Sequence, residues 1–399
     1  MIASKRHVDV NVGADDQPPI PAGTPTATTS KPLRSRGSPA ERGDALVHDH
    51  VHEKRTGYAR DDVRLLAIDS HHGRLLDRAA ADLPALLRPG DLLVLNDAAT
   101  LPASLVGAAP SGAEIEIRLA GPPSRERATW PAVVFGPGDW RTRTEDRAPP
   151  EPLVPGDVVH LRDLSAEIVA VSPLSPRLVE LRFDRAGGAL LAALYRLGRP
   201  VQYAHQDRDL ALWTVQTAFA GPPWAVEMPS AGRPLSWHVL SALRQTGIEL
   251  AWLTHAAGLS ATGDPALDAA LPLPERYHIP AATAAAALRA RAEDRRVIAV
   301  GTTVVRALEG AARAGQWAGG TGTTDLVIGP DSELRAVHGV VSGIHAPGES
   351  HYRLLGAFAP ASLLDAAWQH AQAAGYLRHE LGDFCLIAPG LTLRARELA

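Results

Sequence analysis

"RRVIAVGTTVVRALEGAARAG", residues 295–315, begins as a buried strand and passes into an amphipathic helix with almost no loop between them. Val297–Val300 is apolar on both faces, as a strand central to a parallel sheet must be. Over 303–314 the spacing predicts a helix with Val304, Leu308, Ala311 and Ala312 on one side and Arg306, Glu309 and Arg313 on the other, stopping at Gly315. Strand, tight corner and helix form the repeating unit of an α/β protein. The corner, Gly301-Thr302-Thr303, holds a glycine that lets the backbone approach a ligand and two hydroxyls able to cap the helix. Free N–H groups of a first helical turn attract an anion, whether phosphate or carboxylate. The corner lacks the further glycines of a dinucleotide fingerprint and the lysine of a P-loop, and a capped helix after a strand needs no ligand. A binding corner and a purely structural one are therefore both open.

Outward from this unit, "DDVRLLAID" (61–69) is β-like, and "LRPGDLLVLNDAATLPASLVG" (87–107) is a turn, the apolar strand Leu92–Leu95 and a polar exit at Asn96-Asp97. Such an exit is either a site at a carboxyl strand end or a plain Asx turn. Between 105 and 185, "AEIEIRLAG", "TWPAVVFG", "GDVVHLRD", "SAEIVAVSP" and "RLVELRFD" alternate in polarity between Gly and Pro turns, the signature of a small antiparallel barrel. Helical patterns return in "GGALLAALYRLG" (187–198), "RPLSWHVLSALRQTG" and "AATAAAALRARAEDR", interleaved with the strand "IELAWLT" (248–254). The expected plan is an α/β, Rossmann-like main domain formed by 46–104 and 205–395, with an antiparallel β-barrel domain inserted at 105–204. Residues 1–45 mix Pro, Thr, Ser and Gly without hydrophobic periodicity and read as a disordered extension.

A chain of 399 residues has room for two ordinary cores. Nothing resembles a secretory signal or a bilayer-spanning stretch, so a soluble, cytoplasmic protein without a membrane partner is expected. The single cysteine, Cys385, excludes a disulfide and a thiolate metal cage. Lysine occurs only at 5, 31 and 54, which leaves carboxylate or phosphate binding to arginine. A formal net charge of −4 supplies no global field for nucleic acid, so RNA would need a local basic patch.

In "VSGIHAPGESHYRLLGAFAP" (341–360), His345, Glu349 and His351 share a Gly- and Pro-bounded loop. A histidine there can act as general base near neutral pH, the loop can instead be held by His–carboxylate bonds, or the three groups can meet one metal ion. "PSAG" (229–232), with Ser230 and Gly232, opens a further helix and is a second anion or ribose seat. His255 follows a strand in "LTHAAGLSATG" (253–263), and like His238 it can be structural.

In order, "RPGDLLVLND" (88–97), "QTAFA", "PSAG", "ERYHIP", "VIAVGTTVVRALEGA" (297–311), "GIHAPGES", "GAFA" and "GD" resemble the S-adenosylmethionine:tRNA ribosyltransferase-isomerase family of queuosine biosynthesis over about 58–390. The resemblance implies an α/β domain with an inserted barrel and S-adenosylmethionine as co-substrate, with no metal. It also implies transfer and isomerisation of the ribosyl group onto 7-aminomethyl-7-deazaguanine in tRNA, giving epoxyqueuosine, adenine and methionine. On that reading Gly301, Thr302, Thr303 and Arg306, with Asn96, Asp97, Ser230 and Gly232, hold S-adenosylmethionine. His345 moves the proton, with His255, Glu349 and Asp383 as competitors, and Arg233, Arg306, Arg353 and Arg378 line a surface for tRNA. The chain departs from the family where it reads "PSAGRPLSW" (229–237) for Pro-Thr-Ala-Gly-Leu-His-Phe and "SGIHAP" (342–347) for Thr-Asn-Phe-His-Leu-Pro, keeping His345 but placing Gly343 at the asparagine. "THAAG" (254–258) and "YLRHEL" (376–381) also diverge, a pattern of altered polar positions on a retained scaffold. Other readings are an enzyme passing the ribosyl group to a small-molecule acceptor, a non-catalytic nucleoside- or RNA-binding protein, and a metal hydrolase using His345 and His351. The oligomeric state is left open.

Overall fold

The computed structural model describes residues 60, 63–124, 128–206 and 208–392. The extension expected at 1–45, the three lysines and residues 393–395 of the expected α/β segment lie outside the described residues. In chain order the first strands are β1 Arg64–Asp69, β2 Arg74–Ala79, β3 Leu92–Asn96, β4 Ala99–Thr100, β5 Ser104–Ala108, β6 Glu114–Leu119, β7 Trp130–Phe135 and β8 Val158–Leu161. They are followed by β9 Leu164–Val171, β10 Leu178–Phe183, β11 Pro223–Ala225, β12 Glu249–His255, β13 Glu275–Ile279, β14 Val297–Val300, β15 Gly320–Thr324, β16 Gly339–Gly343 and β17 Phe384–Ala388.

Nine of these build one sheet in the order β15-β13-β12-β3-β14-β16-β17-β1-β2. The four central strands β12, β3, β14 and β16 are parallel, whereas β17 runs against β16, and β13 and β15 are antiparallel additions. The α/β expectation holds, and the sheet is mixed. Every residue of β3 and β14 is buried, because helices cover both faces. Alternation sends Val94, Val297 and Ala299 to a core shared with the helices Ala281–Ala292, Thr302–Arg313 and Ala361–Ala373. Leu93, Leu95, Ile298 and Val300 point the other way, onto the helix Trp237–Gln245. At about 1.5–3 kcal/mol for each such side chain taken out of water, this double burial is the main reason the central strands stay together.

Strands β5 to β10 close into a six-stranded antiparallel barrel in the order β10-β7-β6-β5-β8-β9. Leu190, Ala193 and Leu194 of the helix Gly187–Leu197 join its core. On its outer face, in register with the exposed Val106 and opposite the core-facing Ile115 and Ile117, a buried Glu116 accepts from Arg118 Nε at 2.7 Å and from Ser104 Oγ at 2.6 Å, and pairs with Arg147 on its other oxygen. Burial pushes the Glu116 carboxyl up, but the two guanidiniums and the hydroxyl hold it below its ordinary value. Barrel and sheet belong to one compact body.

Two local expectations are corrected. The helix after β14 starts at Thr302 with Gly301 as its cap and has no side-chain cap, so neither threonine hydroxyl serves that purpose. Glu309, expected on the solvent side, is fully buried: its carboxylate accepts the backbone N–H groups of Arg335, Ala336 and Val337 at 2.8–3.1 Å. Those donors belong to the segment that enters β16, so one carboxylate fixes the approach to a central strand.

Candidate active site

Because β12, β3, β14 and β16 are parallel, their carboxyl ends share one edge, where His255, Asn96, Gly301 and the 344–349 loop lie beside one another. Ligands collect at such an edge. Gly301 holds φ 96°, a left-handed value that a side chain would strain, and an added Cβ would lie 3.4 Å from Thr303 Oγ1 and 3.7 Å from Ala231 Cβ. The corner therefore needs glycine. Helical geometry leaves the first N–H groups after it without intrahelical acceptors.

A cavity of about 640 Å³ opens over this corner. Its floor is Gly301, Thr302 and Thr303 with the short turn carrying Ser230 and Ala231. Ser342, Gly343, His345, Glu349, Ser350 and His351 form one wall. Tyr203, His205, Glu227, Ser260, His379 and Glu380 form another, and Arg143, Thr144 and Glu145 reach in from the barrel.

On the first wall, His345 Nδ1 lies 3.3 Å from Glu349 Oε2, and the rings of His345 and His351 stack at 4.7 Å. Glu349 also accepts from Ala346 N–H at 3.1 Å and from Arg378 at 2.5 Å. Burial works against its charge, yet His345, the amide and Arg378 hold its carboxyl at about 2, so it is ionised at neutral pH. Burial, with His345 and Arg306 nearby, pushes the His351 imidazole down to about 3, leaving it neutral. The arrangement is a carboxylate-oriented imidazole with a neutral imidazole stacked on it. Among the described residues no group of three His, Cys, Asp or Glu side chains is placed to hold a metal ion.

The other expected site residues stand behind the cavity. Asn96 is buried, with Oδ1 accepting from His255 N–H at 2.9 Å and Ala98 N–H at 3.1 Å, while Nδ2 donates to the His255 carbonyl at 3.0 Å and Thr303 Oγ1 at 3.4 Å. It ties β3, β12 and the corner together. The His255 ring is fully buried, 2.9 Å from Glu275 Oε2, and Glu275 also pairs with Arg306 and accepts from Gly258 N–H at 2.8 Å. Burial raises the Glu275 carboxyl, but Arg306 and His255 more than offset it, so it sits below its ordinary value. Asp97 accepts from Thr254 Oγ1 at 2.6 Å, and burial pushes its carboxyl up. Asp383 is buried beneath Arg64 and Leu377, accepting their backbone N–H groups at 2.9 and 2.7 Å. Gly232 makes room for Phe219, whose Cζ would stand 3.0 Å from an added Cβ. None of Asn96, Asp97, His255, Arg306, Asp383 and Gly232 lines the cavity.

A family model described as "Queuosine biosynthesis protein" matches residues 47–387. The chain belongs to that queuosine biosynthesis family. It is 36% identical over 340 residues to S-adenosylmethionine:tRNA ribosyltransferase-isomerase of Thermus thermophilus, covering 82% of this chain and 93% of that protein. The protein of the same name from Gloeobacter violaceus is 33% identical over 376 residues, covering 90% of this chain and 98% of the relative. A crystal structure of S-adenosylmethionine tRNA ribosyltransferase from Thermotoga maritima is 25% identical, covers 82% of this chain and 93% of its own, and has a TM-score of 0.44.

In this queuosine biosynthesis chain the arginines expected on the rim divide. Arg233 is buried beneath the Thr214 carbonyl and Arg306 is nearly so, whereas Arg353 is exposed and Arg378 partly exposed. Sequence reasoning missed the entire second wall. Only Glu227 carried a local signal, an acidic residue alone among apolar ones in "WAVEMP" (224–229).

Proposed function

We propose that this chain transfers and isomerises the ribosyl group of S-adenosylmethionine onto 7-aminomethyl-7-deazaguanine in tRNA, forming epoxyqueuosine with release of adenine and methionine. The observation that carries the reading is the pairing of His345 with an ionised Glu349 on the wall of a nucleoside-sized cavity, at the carboxyl ends of parallel strands. A proton on the ribose carbon beside a sulfonium is acidic. The carboxylate orients the imidazole and stabilises the cation it becomes, so the free ring nitrogen of His345 takes that proton. Glycine at 301 admits the amino-acid carboxylate to the first N–H groups of the helix, with Ser230 beside it. Asn96, Glu275 and Arg306 act as positioning residues through the corner they hold. Such a reaction belongs in the cytoplasm, with tRNA.

The test follows adenine and methionine by mass spectrometry after mixing purified protein and S-adenosylmethionine, with and without tRNA bearing the deazaguanine base. Release of both that depends on tRNA, and drops about a hundredfold or more in His345→Ala, is expected. Absence of release in the presence of the modified tRNA sinks the reading. The burial of Arg233 and Arg306 favours a second reading, the same chemistry with a small-molecule acceptor, for which an extract freed of RNA would support release.

A further inference from the structure

Glu227 lies between β11 and the Ser230 turn and lines the same cavity as His345. Its donors are all neutral: Oε1 accepts the Tyr203 hydroxyl and the Ser260 backbone N–H, the latter at 2.8 Å, and the Ser260 hydroxyl is a further donor to the carboxyl. Among the described residues no cation pairs with the group, and a second carboxylate, Glu380, lies on the same wall. A cavity-lining carboxyl with hydroxyl and amide donors, no counter-ion and a like charge beside it is placed to keep its proton, with Oε1 as carbonyl and Oε2 as hydroxyl.

The surroundings agree. Burial, with the neighbouring Glu380 charge, pushes the Glu227 carboxyl up to about 7, against the lowering effect of its donors. Burial first, and then Glu227, pushes the Tyr203 phenol well above its ordinary value, so it remains a donor. The other charged or titratable groups facing the pair are Arg118, whose guanidinium carbon lies 5.4 Å from the Tyr203 ring centre, and His205, which is 2.6 Å from Glu380. Glu380 is thereby occupied, and Glu227 is the wall carboxyl with a proton to give.

We infer that Glu227 is a second proton-transfer group of this cavity, the acid whose Oε2 proton passes to the departing adenine. The inference rests on the proposed reaction. In the step, the bond from ribose to adenine breaks with its electron pair going to the base, and the Oε2 proton moves to an adenine nitrogen, so adenine leaves neutral. Glu227, now a carboxylate, recovers a proton from the acceptor amine as its new bond to carbon forms. His345 removes a carbon-bound proton and Glu227 supplies one to nitrogen, so acid and base stand on separate walls.

The experiment compares full-length wild type, Glu227→Gln and Tyr203→Phe. It records single-turnover adenine release from S-adenosylmethionine with modified tRNA across the neutral pH range, alongside thermal melting to verify folding. Wild-type release should decline as pH rises through about 7, and Glu227→Gln should release adenine about a hundredfold more slowly, without that decline and with KM little changed. Tyr203→Phe should move the decline, not abolish it. A Glu227→Gln enzyme with wild-type rate and pH profile overturns the inference while leaving the proposed reaction intact; a wild type that releases no adenine overturns both. Difference infrared gives a readout free of turnover: a protonated-carboxyl band present near neutrality and missing in Glu227→Gln is expected, and its absence from wild type overturns the assignment.

Discussion

Glu227 illustrates how a single carboxyl trades stability for chemistry. In the unfolded chain it ionises near its ordinary value of 4.5, whereas the folded chain keeps its proton up to about 7. Between those values the folded state binds the extra proton, so the stability this group allows is full below about pH 4.5 and declines as pH rises through about 7. The whole effect is at most about 3 kcal/mol. Denaturant unfolding should therefore find Glu227→Gln close to wild type at about pH 4 and more stable by about 2–3 kcal/mol at about pH 8. Equal stability of the two proteins at the higher pH would contradict the raised carboxyl. Nothing in the local sequence marks Tyr203 as its partner. His345 and Glu349 were legible because they share one loop, whereas the members of the second wall come from distant segments, His205 and Glu380 being 175 residues apart.

At the level of elements, the strand runs were the most readable features, since a fully buried strand such as Leu92–Asn96 must be apolar throughout. The edge strand β15, Gly-Thr-Gly-Thr-Thr over 320–324, has no apolar alternation and gives no such signal. Helical periodicity placed Val304 and Leu308 correctly but sent Glu309 to the wrong side, because spacing cannot reveal three backbone donors waiting in the interior. Removing that acceptor leaves buried N–H groups unsatisfied at about 1–3 kcal/mol each. Glu309→Ala should lower unfolding free energy by about 3–5 kcal/mol, and Glu309→Gln, which keeps one acceptor, by about half as much. A loss below about 1 kcal/mol in Glu309→Ala would mean that water replaces the carboxylate there.

For the molecule as a whole, the cavity is assembled from the barrel loop at Arg143–Glu145, the sheet edge and the 203–205 and 379–380 segments, among others. A ligand seated among them restrains barrel and sheet together. S-adenosylmethionine at about a hundred times its Kd should contribute about 2.7 kcal/mol and raise a single melting transition by about 5 °C or more. Two transitions, of which only one shifts, would separate the barrel from the site. The broad α/β-plus-barrel plan was legible because alternating and continuous apolar runs occupy different stretches of chain. The convergence of seven separate segments on one cavity was not, since it depends on strand order.

The corner at Gly301 rests on Asn96 and, through His255 and Arg306, on Glu275, and none of these reaches the cavity. Foundation and rim are thus separate sets of residues. Gly343 lies on the rim, where a side chain would alter what is held while the foundation stays in place. A chain built this way has room to change a ligand contact on the rim without disturbing the residues that hold the corner.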